Sequence, residues 1–469
     1  MEIQFIGAAQ TVTGSMHLVR TRAGNILLDC GLFQGTRRES LDRNQHLRAP
    51  IHDIRAVVLS HAHIDHSGAL PLLYKQGFRG PVYATPATRS LCAVMLRDAA
   101  AIQESDARYM NRRAQKEGYD DDPVEPLYTD EDVVKAIEHM IAVPYHTTVP
   151  LTGGIELTFL DAGHVLGSSV VALDIDEGGG APKKRVVFTG DLGRADRPIL
   201  NDPEIAEGAD VLVTESTYGD RLHDNLDKMD DDLARVVNKT VARGGKLIVP
   251  SFALERAQEV VFALKKLRKK GAIPRVPVYV DSPLTVRITD IFKLHPECYD
   301  AETRALMRGN DSPFDFDDLS YIEDREASKR VSTSNDPAIV ISASGMCEAG
   351  RVLHHLRDAI GDEKNTVLIV GYQAQHTLGR RLVEKKLRVK IFGVERDRRC
   401  DVVVLNGFSA HADQRDLVDY AAKTKERGHL DKVILVHGDP QPQRTLADKL
   451  RERGLSDVRA PVEGDRIQI

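Results

Sequence analysis

The stretch Ala56-Val57-Val58-Leu59-Ser60-His61-Ala62-His63-Ile64-Asp65-His66-Ser67-Gly68 runs from an apolar segment directly into three histidines and an aspartate. Four apolar residues in a row read as a buried strand, and the polar cluster falls where that strand gives way to a helix. Neutral imidazoles and carboxylates are favoured ligands for zinc and similar ions. His61 and His63, two positions apart, would face one ion, while Asp65 and His66 on the turn would face a second. The competing reading is a polar surface turn that happens to be rich in histidine. Isolated histidines are common, but this order of ligands behind an apolar strand is specific.

Further residues of the same chemistry close other apolar runs. Thr11 to Gly14 follows the alternating segment Glu2 to Ile6, and Asn25 to Leu28 ends on Asp29. His164 follows Leu157 to Leu160, within Asp161-Ala162-Gly163-His164-Val165-Leu166-Gly167-Ser168. Asp191 stands in Thr189-Gly190-Asp191-Leu192-Gly193, where neighbouring glycines leave little in the way of a side chain projecting into a cleft. His437 closes Val433-Ile434-Leu435-Val436. Any one of them reads equally well as a polar cap on a strand. Their recurrence at five strand ends favours a shared site.

This constellation resembles the metallo-β-lactamase superfamily, which implies an αββα sandwich with two zinc ions at one edge. Carried onto this sequence, His61, His63 and His164 would hold one zinc, Asp65, His66 and His437 the other, and Asp191 would bridge them. Asp29 matches the family's buried aspartate and would orient the His61–His66 loop by fixing histidine tautomers.

Within the superfamily the chain is similar to the β-CASP nucleases. Thr214-Glu215-Ser216-Thr217-Tyr218-Gly219-Asp220 resembles their first extra motif, with Glu215 as its acid. Phe408-Ser409-Ala410-His411-Ala412-Asp413 resembles the second, with His411, and Val436-His437-Gly438 the third. The segments Val249 to Glu259 and Ser342-Ala343-Ser344-Gly345-Met346 are also typical, and through them Arg256, Ser344 and Gly345 are expected to bind substrate. The surroundings of His164 look like those of the endonuclease subunit of the pre-mRNA cleavage and polyadenylation factor and its bacterial and archaeal relatives. A histidine at the third motif goes with RNA rather than DNA. One departure is His376, in Gly371 to Gly379, where relatives often carry glycine.

At 469 residues the chain suggests two or three domains of about 150 residues each. The resemblance implies an α/β protein: residues 1–205 as the N-terminal part of the metallo-β-lactamase domain, 206–385 as an inserted β-CASP domain, and 386–469 as strands that complete the sandwich. Strands at Val211 to Thr214, Lys246 to Val249, Val276 to Val280, Ala338 to Ile341 and Thr366 to Val370 alternate with helical patterns, Leu226 to Arg243 and Ala253 to Lys270 among them. Such alternation calls for a parallel sheet. A long polar helix is predicted over Ala87 to Lys116. Ser342 to Met346 precedes a helical pattern, Arg351 to Ala359, whose first amides would be available to a phosphate.

Composition narrows the partners. The net charge of −6 does not attract polyphosphates, so RNA affinity must come from local basic surface and from the metals. Lys265 to Lys270, Arg380-Arg381 and Arg396 to Arg399 are the candidates, the lysine run reading first as a helix end where cations suit the dipole. The acidic runs Asp120 to Asp122 and Asp230 to Asp232 read as a loop and the first turns of a helix. No tryptophan and 5% aromatic residues argue against aromatic stacking as the main way of holding bases. No apolar run approaches the roughly 20 residues of a membrane span. Met1-Glu2-Ile3-Gln4 lacks a basic and apolar leader pattern, and the five scattered cysteines suit free thiols, so a cytoplasmic location is expected.

The function expected is that of a zinc-dependent ribonuclease acting on single-stranded RNA, chiefly as an endonuclease, with monomer and homodimer both open. An inserted domain would grip the nucleic acid opposite the metals. Asp65 and Asp191 serve with the metals, and His411, oriented by Glu215, would protonate the leaving oxygen, the two meeting across the cleft between domains. The alternatives are a same-fold small-molecule hydrolase and an RNA-binding scaffold of little activity.

Overall fold

The structure, a computed structural model, describes residues 1–35, 37–117, 123–223, 228–371, 373–374 and 376–469. The acidic run Asp120 to Asp122 lies outside them. Two compact units emerge: Met1–Asp196 with Asn201–Leu222 and Ala410–Ile469, and Arg197–Leu200 with His223–Ser409.

The first unit is built on two seven-stranded sheets. One runs Arg466–Gln468, Glu2–Gly7, Met16–Thr21, Gly24–Leu28, Ile54–Val58, Val82–Ala84, Met140–Ala142. The other runs Val458–Arg459, Leu430–Leu435, Ala209–Thr214, Lys184–Phe188, Ser169–Ile175, Ile155–Asp161, Val149–Thr152. Alternate residues of both sheets meet in one core: Ile3 and Phe5, Ile26 and Leu28, Ala56 and Val58 with Leu157 and Phe159, Val171 and Leu173, Val186 and Phe188, Val211 and Val213. A strand points successive side chains to opposite faces, so the intervening residues face outward. Val170, Val187, Leu212, Val433 and Leu435 accordingly pack against Leu417, Ala421, Leu446 and Leu450 of helices Gln414–Glu426 and Pro440–Glu452. Helix Pro86–Glu117 covers the predicted Ala87 to Lys116 and contacts strand Met140–Ala142 and helix Asp130–Glu138.

The second unit is organised by a six-stranded, all-parallel sheet: Leu319–Tyr321, Val278–Val280, Ile339–Ser342, Leu247–Pro250, Thr366–Ile369, Asp401–Val404. Its central strands Ile339–Ser342, Leu247–Pro250 and Thr366–Ile369 are buried along their whole length and read as near-continuous apolar runs because both faces are covered. Leu247, Val249, Val280 and Ile341 pack on one side with helix Arg256–Lys269, and Ile248, Val340 and Val367 on the other with helix Val352–Ala359.

Two expectations about organisation change. Strand Ala209–Thr214, placed by the sequence in the insertion, pairs in parallel with Lys184–Phe188 and Leu430–Leu435 in the first unit. The chain after residue 386 does not return at once to the sandwich: Asp401–Val404 adds to the six-stranded sheet. The division therefore falls after Leu222 and before Ala410. Both segments are apolar strands, and nothing in a strand's own composition names the sheet it joins. Among the described residues no helix is long and apolar enough to cross a membrane.

Candidate metal centre

Strand Ile54–Val58 ends, and five residues later His63 precedes the single-turn helix Ile64–Ser67. The loop between them is held by Asp29, which follows strand Gly24–Leu28 at φ +59° and is fully buried. Its Oδ1 accepts from the Ser60 amide (2.8 Å), and its Oδ2 accepts from Ser60 Oγ (2.9 Å) and Ser15 Oγ (3.0 Å). Oδ2 also lies 2.7 Å from His66 Nδ1, which therefore carries the proton and leaves Nε2 free as a ligand. The loop lies so close to the chain after Asp29 that a Cβ on Gly31 would stand 1.7 Å from the Asp65 carbonyl oxygen. The Cys30 amide donates to His66 O across the same contact (2.8 Å).

Three further loops converge on this one. Gly193 donates to Ala162 O (2.8 Å), and a Cβ there would lie 1.9 Å from Gly163 O, so the loops bearing Asp191 and His164 touch backbone to backbone. His437, at φ +46°, donates its amide to Ala8 O (2.7 Å) and has Nδ1 3.2 Å from Thr217 Oγ1.

The result is one group of His61, His63, His164 and Asp191 and another of Asp65, His66 and His437. In the first, His61 Nε2 is 3.0 Å from His63 Nδ1, His164 Nε2 is 3.4 Å from His63 Nδ1, and His61 and His164 Nε2 each lie 3.6 Å from Asp191 Oδ2. A tetrahedral ion with ligand arms of about 2.0–2.1 Å needs edges of about 3.3 Å. Of the second group, His66 Nε2 approaches the same oxygen at 3.4 Å, while His437 Nε2 is 3.5 Å from Asp65 Oδ2 and its Nδ1 is 3.3 Å from Asp191 Oδ1.

These residues fit a cation. His66 Nε2, His437 Nε2 and Asp191 Oδ1 are buried with no hydrogen-bond partner among the described residues, an arrangement that is costly unless something else binds there. Burial, reinforced by neighbouring histidines, holds His61 and His164 well below the usual imidazole pKa and His63 at about 4, so all three are neutral ligands. Burial disfavours the charged form of His66 as well, yet Asp191 and Asp29 raise its pKa well above the ordinary value. Burial likewise opposes ionisation of Asp191, but His437 and His66 hold its pKa well below the carboxylate range. A cation there would release the His66 proton.

Beside this cluster His411 Nδ1 lies 3.1 and 3.2 Å from the two oxygens of Glu215, whose Oε1 also accepts from the Leu192 amide (2.7 Å). Burial works against the imidazolium, but Glu215, with Asp191 and Asp65 behind it, pushes the His411 pKa up to about 9. Glu215 and His411 both belong to the first unit. The pair expected to meet across a domain cleft meets inside one unit.

The expected substrate residues lie in the second unit. Arg256 is buried and its guanidinium is engaged by Glu259, so the side chain holds the start of its own helix. Ser344 and Gly345 follow strand Ile339–Ser342, but the helix begins only at Val352. Its first amides are spent, Val352 N on Ala343 O and Leu353 N on Gly350 O (both 3.4 Å), so the expected phosphate cradle at that terminus is not formed. His376 is exposed at φ +69°, a conformation glycine adopts freely. Tyr372 and Gln375 of its loop lie outside the described residues. Four of the five cations of the lysine run are paired: Lys265 and Lys269 with Asp311, Lys266 with Asp230, Arg268 with Asp318. Arg380 pairs with Glu384, and Arg398 donates to the backbone of Lys386 and Cys400.

Ser15, Ser60 and Thr217 were not singled out by sequence, although Ser60 directly precedes His61 and Thr217 lies within the Glu215 motif. A further group, Asp210, His429 and Asp431, is taken up by Lys184 Nζ (2.6 Å) and the Arg185 amide (2.7 Å) on Asp210.

Comparison with known proteins bears on the same segments. A metallo-beta-lactamase superfamily domain matches residues 18–179, a Beta-Casp domain 257–382, and a Zn-dependent metallo-hydrolase RNA specificity domain 395–461. The chain is 35% identical to Ribonuclease TTHA0252 of Thermus thermophilus over 97% of each chain. It is 31% identical to Transcription termination factor FttA of Methanosarcina mazei, covering 100% of this chain and 72% of that protein. A crystal structure of a protein of unknown function from Enterococcus faecalis V583 superimposes over 100% of this chain and 99% of its own, with TM-score 0.55 and 15% identity, a likeness of fold.

Proposed function

We propose, because the chain belongs to the β-CASP nucleases of the metallo-β-lactamase superfamily, that it is a zinc-dependent ribonuclease that cuts single-stranded RNA, chiefly as an endonuclease. The observation that carries this reading is the full set of ligands around Asp191 beside the His411–Glu215 pair. A scaffold subunit that had lost activity would be expected to have lost ligands as well.

Two zinc ions held by these residues would polarise the phosphodiester and supply its attacking nucleophile near neutral pH. The chain's own groups do the rest. Asp29 and Ser60 set the tautomers of His66 and His61, whose Nδ1 atoms lie 2.7 Å from Asp29 Oδ2 and 3.0 Å from Ser60 Oγ. Glu215 holds Nδ1 of His411, leaving Nε2 to give a proton to the leaving oxygen, and the Glu215 carboxylate favours the imidazolium that carries it. Asp65 and Asp191 balance the charge of the cations. A cytoplasmic location, and a monomer or homodimer, belong to the same reading. The five cysteines, all buried and none in a disulfide, suit a reducing compartment.

The test is cleavage of a single-stranded RNA blocked at both ends. The reading expects internal cuts that stop with a chelator and return with zinc, and no turnover of a β-lactam or a thioester. Rapid hydrolysis of either small molecule with inert RNA would favour the small-molecule branch of the superfamily.

A further inference from the structure

The parallel sheet of the second unit places three loops side by side. Strand Leu247–Pro250 pairs with Ile339–Ser342 on one side and Thr366–Ile369 on the other, so Ser251-Phe252, Ala343 to Gly345, and Gly371 with Gln373 follow strands at the same edge. The helix after the first strand packs on one face and the helix after the second on the opposite face. Adjacent strands whose connections part in this way open a crevice at their carboxyl ends, where open α/β sheets bind ligands.

Phe252 sits at that crevice with 38% of its surface exposed, between buried Ser251 and half-buried Ala253. The edge of its ring rests on two glycines. A Cβ on Gly345 would stand 2.9 Å from Cδ2, and one on Gly371 would stand 3.4 Å from Cε2. Gln373, 5% exposed, donates Nε2 to the carbonyls of both glycines (3.0 and 3.2 Å), tying the two supports together. A single exposed apolar side chain is ordinary on a protein surface. This one is braced by backbone on one edge and more than a third exposed, so little side-chain freedom remains to be lost when a flat group settles on it.

We propose that the Phe252 ring is a stacking platform for one nucleobase of the RNA, a role that rests on the ribonuclease reading and adds a contact to it. Stacking on a ring tolerates any base, because every base has a π-face. Phe252 would therefore place the strand without selecting a sequence.

The experiment measures KM for an end-blocked single-stranded RNA with the metal-loaded full chain, and repeats it with single abasic positions scanned along the strand. Phe252→Ala should raise KM roughly ten-fold, within the usual worth of one stacked base, while Phe252→Tyr keeps the wild-type value and Phe252→Leu resembles Ala. One abasic position should raise KM in the wild type and add nothing in Phe252→Ala. An unchanged KM in Phe252→Ala, full rescue by Leu, or an abasic penalty of the same size in both proteins overturns the stacking role and leaves the ribonuclease reading standing. Failure of the wild type to cleave any RNA overturns both.

Discussion

Asp191 Oδ2 stands within 3.6 Å of nitrogens on His61, His66 and His164, which makes it the atom common to both ligand groups. Its neighbours work through tautomers and charge. Asp29→Asn would keep the shape of the loop but remove the anionic acceptor for His66 Nδ1, so metal affinity should fall about 10- to 100-fold, measured by competition with a chelator. His411→Ala should retain the metals but slow the chemical step by roughly 10² to 10⁴, and an RNA with a better leaving group at the scissile position should recover much of that loss. Glu215→Gln should act in the same direction, and the double variant should be far from additive. The pH dependence has a definite sign. The folded pKa of His411 is raised from 6.5 to about 9 in the metal-free protein, so its stabilisation is complete below pH 6.5 and lost as pH rises through 9. His66 is raised as well and adds a slope of the same sign. Chemical denaturation of metal-free protein across that window should show falling stability, with a shallower fall in Glu215→Gln.

Loops that meet backbone to backbone leave no room for a side chain. Gly31→Ala would drive a methyl into the Asp65 carbonyl and should cost about 1–3 kcal/mol, with weakened metal binding, read by thermal unfolding and metal analysis. His376 shows the reverse case. Relief of its left-handed backbone is worth roughly 1–2 kcal/mol, and the added freedom of glycine in the unfolded chain costs about 0.5–1 kcal/mol. His376→Gly should therefore be neutral or stabilising by up to about 1 kcal/mol in denaturant melts. The cluster of candidate ligands was legible in the sequence because His61, Asp191 and His437 each follow an apolar strand, and a strand's end is fixed by its own residues. The cradle expected before helix Val352–Ala359 was not, because Ser344 to Gly350 carry no signal of how their amides pair. Arg256 likewise read as a substrate contact, since nothing local in the sequence announces that Glu259, one turn on, takes up its guanidinium.

On the scale of the molecule, the αββα sandwich and the parallel sheet follow from apolar periodicity and from the resemblance the motifs carry. The exact division does not, since Ala209–Thr214 and Asp401–Val404 are assigned to their sheets only by long-range pairing. Charge also reads differently once folded. The chain carries −6 overall, and four of the five cations of the lysine run are paired with Asp230, Asp311 and Asp318. RNA binding should still depend on phosphate contacts, so cleavage at subsaturating RNA should weaken as salt rises. A rate independent of salt would contradict that electrostatic share. The account as a whole turns on the shared carboxylate, and one paired measurement addresses it: zinc content and end-blocked RNA cleavage of the wild type and Asp191→Ala, both confirmed folded by circular dichroism. Two zinc ions and internal cleavage in the wild type, with loss of at least one ion and nearly all turnover in the variant, is the expected result. A variant that holds two zinc ions tightly and cuts RNA at the wild-type rate would contradict the account.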